Sequence, residues 1–193
     1  MTTMSNDEFD YGPLKALIGV WKGDQGMDIA PDQADGREEN PYFETITFTP
    51  IGDVTNADRQ TMTGLRYHQT VTRKSDNKVF HDECGYWLWE AATSTIIHSL
   101  QIPRAVAVMA GGTWKPDPST SAITLEVKAG INNKDWNIAQ SPFMRDNAKT
   151  IAFKHKITVN GDKLHYFEST IIDIYGSKFD HTDENTLSRV SDK

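Results

Sequence analysis

Runs of alternating apolar and polar residues follow one another along most of this sequence, and helical spacing is nearly absent. Segment 42–49 (YFETITFT) alternates and is rich in aromatic and β-branched residues; Pro50 to Asp53 reads as its break. Comparable runs occupy 64–73, 79–89, 95–102, 105–110 with Thr113 and Trp114, 122–129, 150–159, 163–175 and 185–190. Asn160-Gly161-Asp162 between two of them is a hairpin signal. Only 13–20 carries helical spacing, through Leu14, Leu17 and Ile18. Nine or ten short strands predict an antiparallel all-β fold, either a sandwich or a closed barrel.

Three features favour the barrel. Strand 79–89 carries bulky groups on both parities, Phe80, Tyr86 and Leu88 against Trp87 and Trp89, which a closed sheet with a filled interior accommodates. The helical stretch stands at the chain start, where it can close one end. No Cys…Trp…Cys spacing supports an immunoglobulin-type sandwich, since Cys84 is the only cysteine. The reading is one domain over 1–193 with its core over about 14–190. Segment 28–41 (DIAPDQADGREENP) reads as a long acidic loop, and 132–147 has no clear period.

Charge narrows the partners. Twenty Lys+Arg against 27 Asp+Glu give a net charge of −7, without the basic patch that nucleic acid or an anionic membrane requires. The longest apolar run, 105–110, is far short of the roughly 20 residues that span a bilayer. The polar start MTTMSNDEFD lacks the pattern of a secretory signal, and a lone cysteine rules out a disulfide framework. A cytoplasmic protein is the expectation.

Familiar catalytic motifs are missing: no phosphate-binding lysine loop, dinucleotide glycine fingerprint, G-x-S-x-G elbow or H-E-x-x-H. Six histidines (His68, His81, His98, His155, His165, His181) are spread so that no two have metal-ligand spacing on one strand. Cys84 reads as a small strand residue. The opening Gly19-Val20-Trp21-Lys22-Gly23 follows a helical turn; Trp21 is placed to plug a barrel end while Gly19 and Gly23 permit the sharp turn into the first strand.

Taken in order, four segments resemble the nitrobindin family of haem-binding β-barrels, which are shaped like fatty-acid-binding proteins. Gly19 to Gly23 is similar to the family's G-x-W-x-G-x-G opening, and Phe80-His81-Asp82-Glu83-Cys84-Gly85-Tyr86-Trp87 to its M-H-x-E strand. Ser99-Leu100-Gln101 followed by Gly112-Thr113-Trp114, and Gly161 through the strand leading to His181, match the remaining two. The resemblance implies a ten-stranded barrel holding haem b, with His181 as the iron ligand, His81, Gln101 and Ile171 facing the pocket, and a homodimer as a possible assembly. It further implies a ferric iron that binds nitric oxide and isomerises peroxynitrite to nitrate. Asp180 or Asp183 is the expected partner of the His181 ring.

Two departures stand out. Gln25 occupies the third glycine's place, with Gly26 one residue late, and 28–41 replaces a short Tyr-Pro-Thr segment. Acidic groups at a rim would also repel haem propionates. Two other functions compete. One is a metal-free carrier of a fatty acid or other small apolar ligand, with Arg66, Arg104 or Arg145 as the carboxylate anchor. The other is an interaction module whose interior is filled by its own aromatics.

Overall fold

A computed structural model describes residues 9–34 and 36–190; the polar segment 1–8 of the N-terminal reading lies outside them. A 3-10 helix, Gly12–Leu17, leads into β1 (Gly19–Ala30), β2 (Glu38–Asn56), β3 (Gln60–Arg73), β4 (Val79–Glu90), β5 (Thr95–Ile102) and β6 (Val106–Thr113). After these come β7 (Ile123–Gly130), β8 (Ile138–Gln140), a short helix α1 (Pro142–Asn147), β9 (Ala148–Asn160), β10 (Lys163–Ile174) and β11 (Ser177–Arg189).

Ten strands close into an antiparallel barrel in the order β1-β2-β3-β4-β5-β6-β7-β9-β10-β11, with β11 returning to β1. One seam is thin: β6 and β7 share the pairing Gly111↔Lys128, and β8 pairs beside it with Val106–Val108. The Gln140 side chain stitches that edge to β9, donating to the Thr150 carbonyl at 3.0 Å and accepting from the Thr150 amide at 2.9 Å. Thus the segment without a period, 132–147, contains a short strand and a helix that cover a gap in the ring. Among the described residues, no helix is long and apolar enough to cross a membrane.

Side-chain alternation puts one face of every strand inside. At the closed end the interior is apolar: Leu14, Leu17, Trp21, Leu164 and Leu187 are fully buried. Trp21 donates its indole N–H to the Leu17 carbonyl at 2.6 Å, which ties the helix to β1. Arg189 lies 4.1 Å over the indole ring and donates to the carbonyls of Ala16 (2.9 Å) and Ile18, satisfying the helix's orphaned C-terminal acceptors. Gly19 makes the turn between helix and strand at φ +122°, a conformation that side chains resist. Gly23 follows in β1, opposite Glu44.

Three expectations change. Segment 28–41 is not one loop: β1 runs to Ala30, β2 starts at Glu38, and only 31–37 joins them. The late glycine is explained by a β-bulge, since Gly23↔Glu44 and Gly26↔Tyr42 place one extra residue on β1. A Cβ at Gly26 would lie 2.0 Å from the Tyr42 ring, so the displaced glycine still does a glycine's work. Pro50 to Asp53 likewise holds a bulge within β2 instead of ending it.

Candidate functional site

Beyond the closed end the inward-facing residues become polar. In register, Asn40 (β2), Asp28 (β1), Asp183 (β11), Glu168 (β10) and His155 (β9) form a row around half the barrel. His181, two residues from Asp183 and therefore on the same face, turns toward β1. Its Nε2 is 2.5 Å from Asp28 Oδ1 and 3.5 Å from Asp183 Oδ2. Asn40 donates to the other Asp28 oxygen at 2.7 Å. The Asp28 side chain is 4% exposed and that of His181 27%, so the ring reaches the mouth while its carboxylate lies beneath.

Burial works against a charged His181, but the Asp28 hydrogen bond and the nearby carboxylates outweigh it and raise its pKa. Asp183, desolvated and beside Asp28, rises to about 6.

A second tier lies deeper. Glu44 accepts from Tyr166 at 3.0 Å, Asn185 at 2.7 Å and Gln69 at 2.7 Å, and Tyr166 shares a 2.7 Å hydroxyl contact with Tyr42. Burial still lifts Glu44 to about 7. On the far wall Tyr67 donates to Glu83 at 2.5 Å and meets His98 Nε2 at 2.8 Å, and His81 Nε2 stands 3.5 Å from Glu83. Burial alone would raise Glu83; contacts with His81, His98 and Tyr67 reverse that and bring it to about 2.

His181 and His81 both face the interior near the mouth, each about a quarter exposed. Gln101 does not. It is exposed on the outer face, paired with exposed Cys84. Ile171 also falls on the outer face, because strands alternate: Thr170 pairs with His181, Ile171 with Asp180, and Ile172 with Phe179. The half-buried pair next to His181 on its own face is therefore Ile172 and Phe179. Asp180 is bonded on the outside to Ser169 at 2.6 Å, so the His181 partner is Asp28, 153 residues away in sequence, with Asp183 second. Asp28, Glu44, Glu83, His98 and His155 were missed. The available signal was parity: Glu44 shares its face with Tyr42 and Ile46, and Glu83 shares its face with Trp87.

Haem iron takes an imidazole whose second ring nitrogen is held by a carboxylate or carbonyl. His181 offers a held imidazole of this kind: Asp28 takes Nε2, which leaves Nδ1 as the nitrogen for an iron, and Ile172, Phe179 and Phe80 supply apolar surface nearby. Phe80 sits edge-on to Tyr42 at 6.3 Å, which places it at this end of the barrel. The donor set fits the group.

An antiparallel barrel plugged at one end and carrying partly exposed histidines and carboxylates at the other defines the class. The model of the THAP4-like, heme-binding beta-barrel domain matches residues 10–189, and the chain belongs to that family, in keeping with its nitrobindin resemblance. The crystal structure of Rv2717c from M. tuberculosis superposes with a TM-score of 0.68 at 21% identity, covering 93% of this chain and 98% of that one, a likeness of fold. No curated protein matches the sequence.

Proposed function

We propose that the mouth of this barrel holds haem b through His181, with Asp28 as the partner of its ring, and that the protein binds nitric oxide and isomerises peroxynitrite to nitrate. The observation that carries this reading is the 2.5 Å His181–Asp28 contact at the water-accessible end of a barrel of the haem-binding family. When bound, the haem would supply the iron centre at which a diatomic or peroxynitrite reacts.

The chain's own residues set the conditions. A carboxylate on the ligand imidazole increases its basicity and favours ferric over ferrous iron. Ile172, Phe179 and Phe80 exclude water beside the ring. Asp183 and Asp28 repel haem propionates, which directs those groups outward to solvent. His81 stays turned to Glu83 and shapes the wall without serving as a second ligand.

The fatty-acid carrier is less well supported. Arg66 and Arg104 are exposed, and Arg145 binds Asp146 on the surface. A fatty acid would find no anchoring cation among them and would face Asp28, Glu44, Glu83, Glu168 and Asp183. The same polar residues also count against an interior filled by aromatics alone.

A hemin titration of the purified protein beside His181→Ala tests the proposal. The expected result is a sharp Soret band saturating at one equivalent in the wild type and absent from the variant, after which peroxynitrite decay to nitrate is assayed. An equal band in His181→Ala, or none in either protein, contradicts it.

A further inference from the structure

One donor at the mouth lacks an acceptor. Arg73, the last residue of β3, stands on the inward parity of Tyr67, Gln69 and Val71. Its Nη1 reaches Asp76 Oδ2 at 3.3 Å, a long contact within the turn that follows the strand. The other Asp76 oxygen accepts the Lys78 amide at 3.1 Å, so the turn itself holds that carboxylate. Arg73 Nε is buried and has no hydrogen-bond partner. The side chain as a whole is 29% exposed, which puts the guanidinium at the water boundary with its Nε edge beneath the surface. A buried N–H without an acceptor is costly and calls for one.

Phe80 fixes the guanidinium in place. The pairings Val71↔His81 and Thr72↔Val79 leave Phe80 as an extra residue on β4. Arg73 Cζ lies 4.8 Å from the centroid of this ring, and the ring is edge-on to Tyr42, the register partner of Arg73 on β2. Stacking of this kind sets the plane of the guanidinium. With Nη1 on Asp76, the edge that remains is Nε–Nη2, whose two parallel N–H groups match the two oxygens of a carboxylate.

Charge divides the mouth in the same sense. Asp28 on β1, Asp183 on β11 and Glu168 on β10 lie to one side, and β2 separates them from Arg73 on β3. Among the described residues the other inward arginine, Arg189, is committed to Trp21 and the helix carbonyls at the closed end. Lys74 is turned outside, to the Asp24 carbonyl and the Phe43 ring. An anionic group entering here is repelled by Asp28 and Asp183 and met by Arg73.

We propose that Arg73 anchors an alkyl carboxylate carried by the ligand of this barrel, taking it as a bidentate pair on the Nε–Nη2 edge. The assignment rests on the haem reading for its ligand: the carboxylate is a haem propionate. Arg73 and the acidic side then act together, one attracting and the other repelling, to turn the propionates toward β3. A fatty acid carries the same group, and the test separates the two sources.

Hemin, hemin dimethyl ester and dodecanoate are titrated into wild type, Arg73→Gln and Arg73→Lys, the hemins by absorbance and dodecanoate by Trp fluorescence. Wild type is expected to bind hemin roughly 10-fold or more tighter than its ester. In Arg73→Gln hemin is expected to weaken to the level of the ester, and Arg73→Lys should restore only part of the preference, since an ammonium lacks the fork. Parallel loss of hemin and ester affinity in Arg73→Gln would reveal a merely structural role and overturn the proposal. A preference unchanged in Arg73→Gln also overturns it. If hemin and ester bind wild type alike while dodecanoate binding depends on Arg73, the anchor stands and its carboxylate belongs to a fatty acid. If wild type binds no hemin, the haem reading fails by itself and dodecanoate decides the anchor: binding that requires Arg73 supports it, and no binding overturns it.

Discussion

The two ends of the barrel are made from the same strands but carry opposite chemistry. At the closed end β1 and β11 contribute Trp21, Leu187 and Arg189 to a packed, fully bonded plug. Toward the mouth, the same two strands contribute Asp28, His181 and Asp183. The first region is apolar; Trp21 bonds the backbone, and Arg189 bonds the backbone and Asp162. The second buries the Asp28 carboxylate, raises the pKa of Asp183 and leaves a histidine partly in water. Stability and chemistry are thus separated along one axis, and each should yield to a different set of substitutions.

Trp21→Ala should have the largest effect. It removes a fully buried indole, its bond to Leu17 and the ring under Arg189, and should cost about 3–5 kcal/mol in urea unfolding. Hemin affinity of the molecules that remain folded should hardly change; a parallel loss would show that the ends are not separable. Gly26→Ala comes next, at about 1–3 kcal/mol, because the new methyl meets the Tyr42 ring. Since Tyr42 leads to Tyr166 and Glu44, this substitution lies on the border and should also shift the absorbance titration of the buried tyrosines.

The buried histidines give a smaller effect that depends on pH. His98 and His155 are neutral in the fold down to about 3 and 4, whereas the unfolded chain protonates both near 6.5. Between those values the unfolded state holds more protons, so this pair makes stability fall as pH drops. His155→Gln should therefore gain melting temperature relative to wild type as pH is lowered from 6.5 toward 4. A difference constant across that range would show that His155 is not buried neutral.

How much of this was legible in the sequence follows from the same division. Apolar alternation and the Gly19–Trp21–Gly23 opening predict the barrel and its plug, because packing leaves a hydrophobic period behind. The mouth leaves none. Asp28 and Asn40 occupy inward positions of β1 and β2, and a polar residue on an inward position looks in sequence like a solvent-facing one, so 28–41 read as a loop. The His181 ring partner was sought among its neighbours Asp180 and Asp183; the chain supplies it chiefly from Asp28, across the β1–β11 seam. Ile171 missed the His181 face by a single residue, the smallest error that reverses a strand. His98 and His155 meet only because barrel closure brings β5 and β9 together, which no spacing along one strand can reveal.

The His181–Asp28 pair is the centre of the account, and the pH dependence of hemin affinity in wild type and Asp28→Asn tests it most directly. Iron competes with a proton for the imidazole, whose pKa lies above its ordinary 6.5 largely through Asp28 overcoming burial. Wild-type affinity should therefore climb as pH rises through that raised value. In Asp28→Asn the climb should move to lower pH and level off about 10–100-fold weaker. Superimposable curves, or affinity independent of pH, would contradict ligation by an imidazole that Asp28 holds.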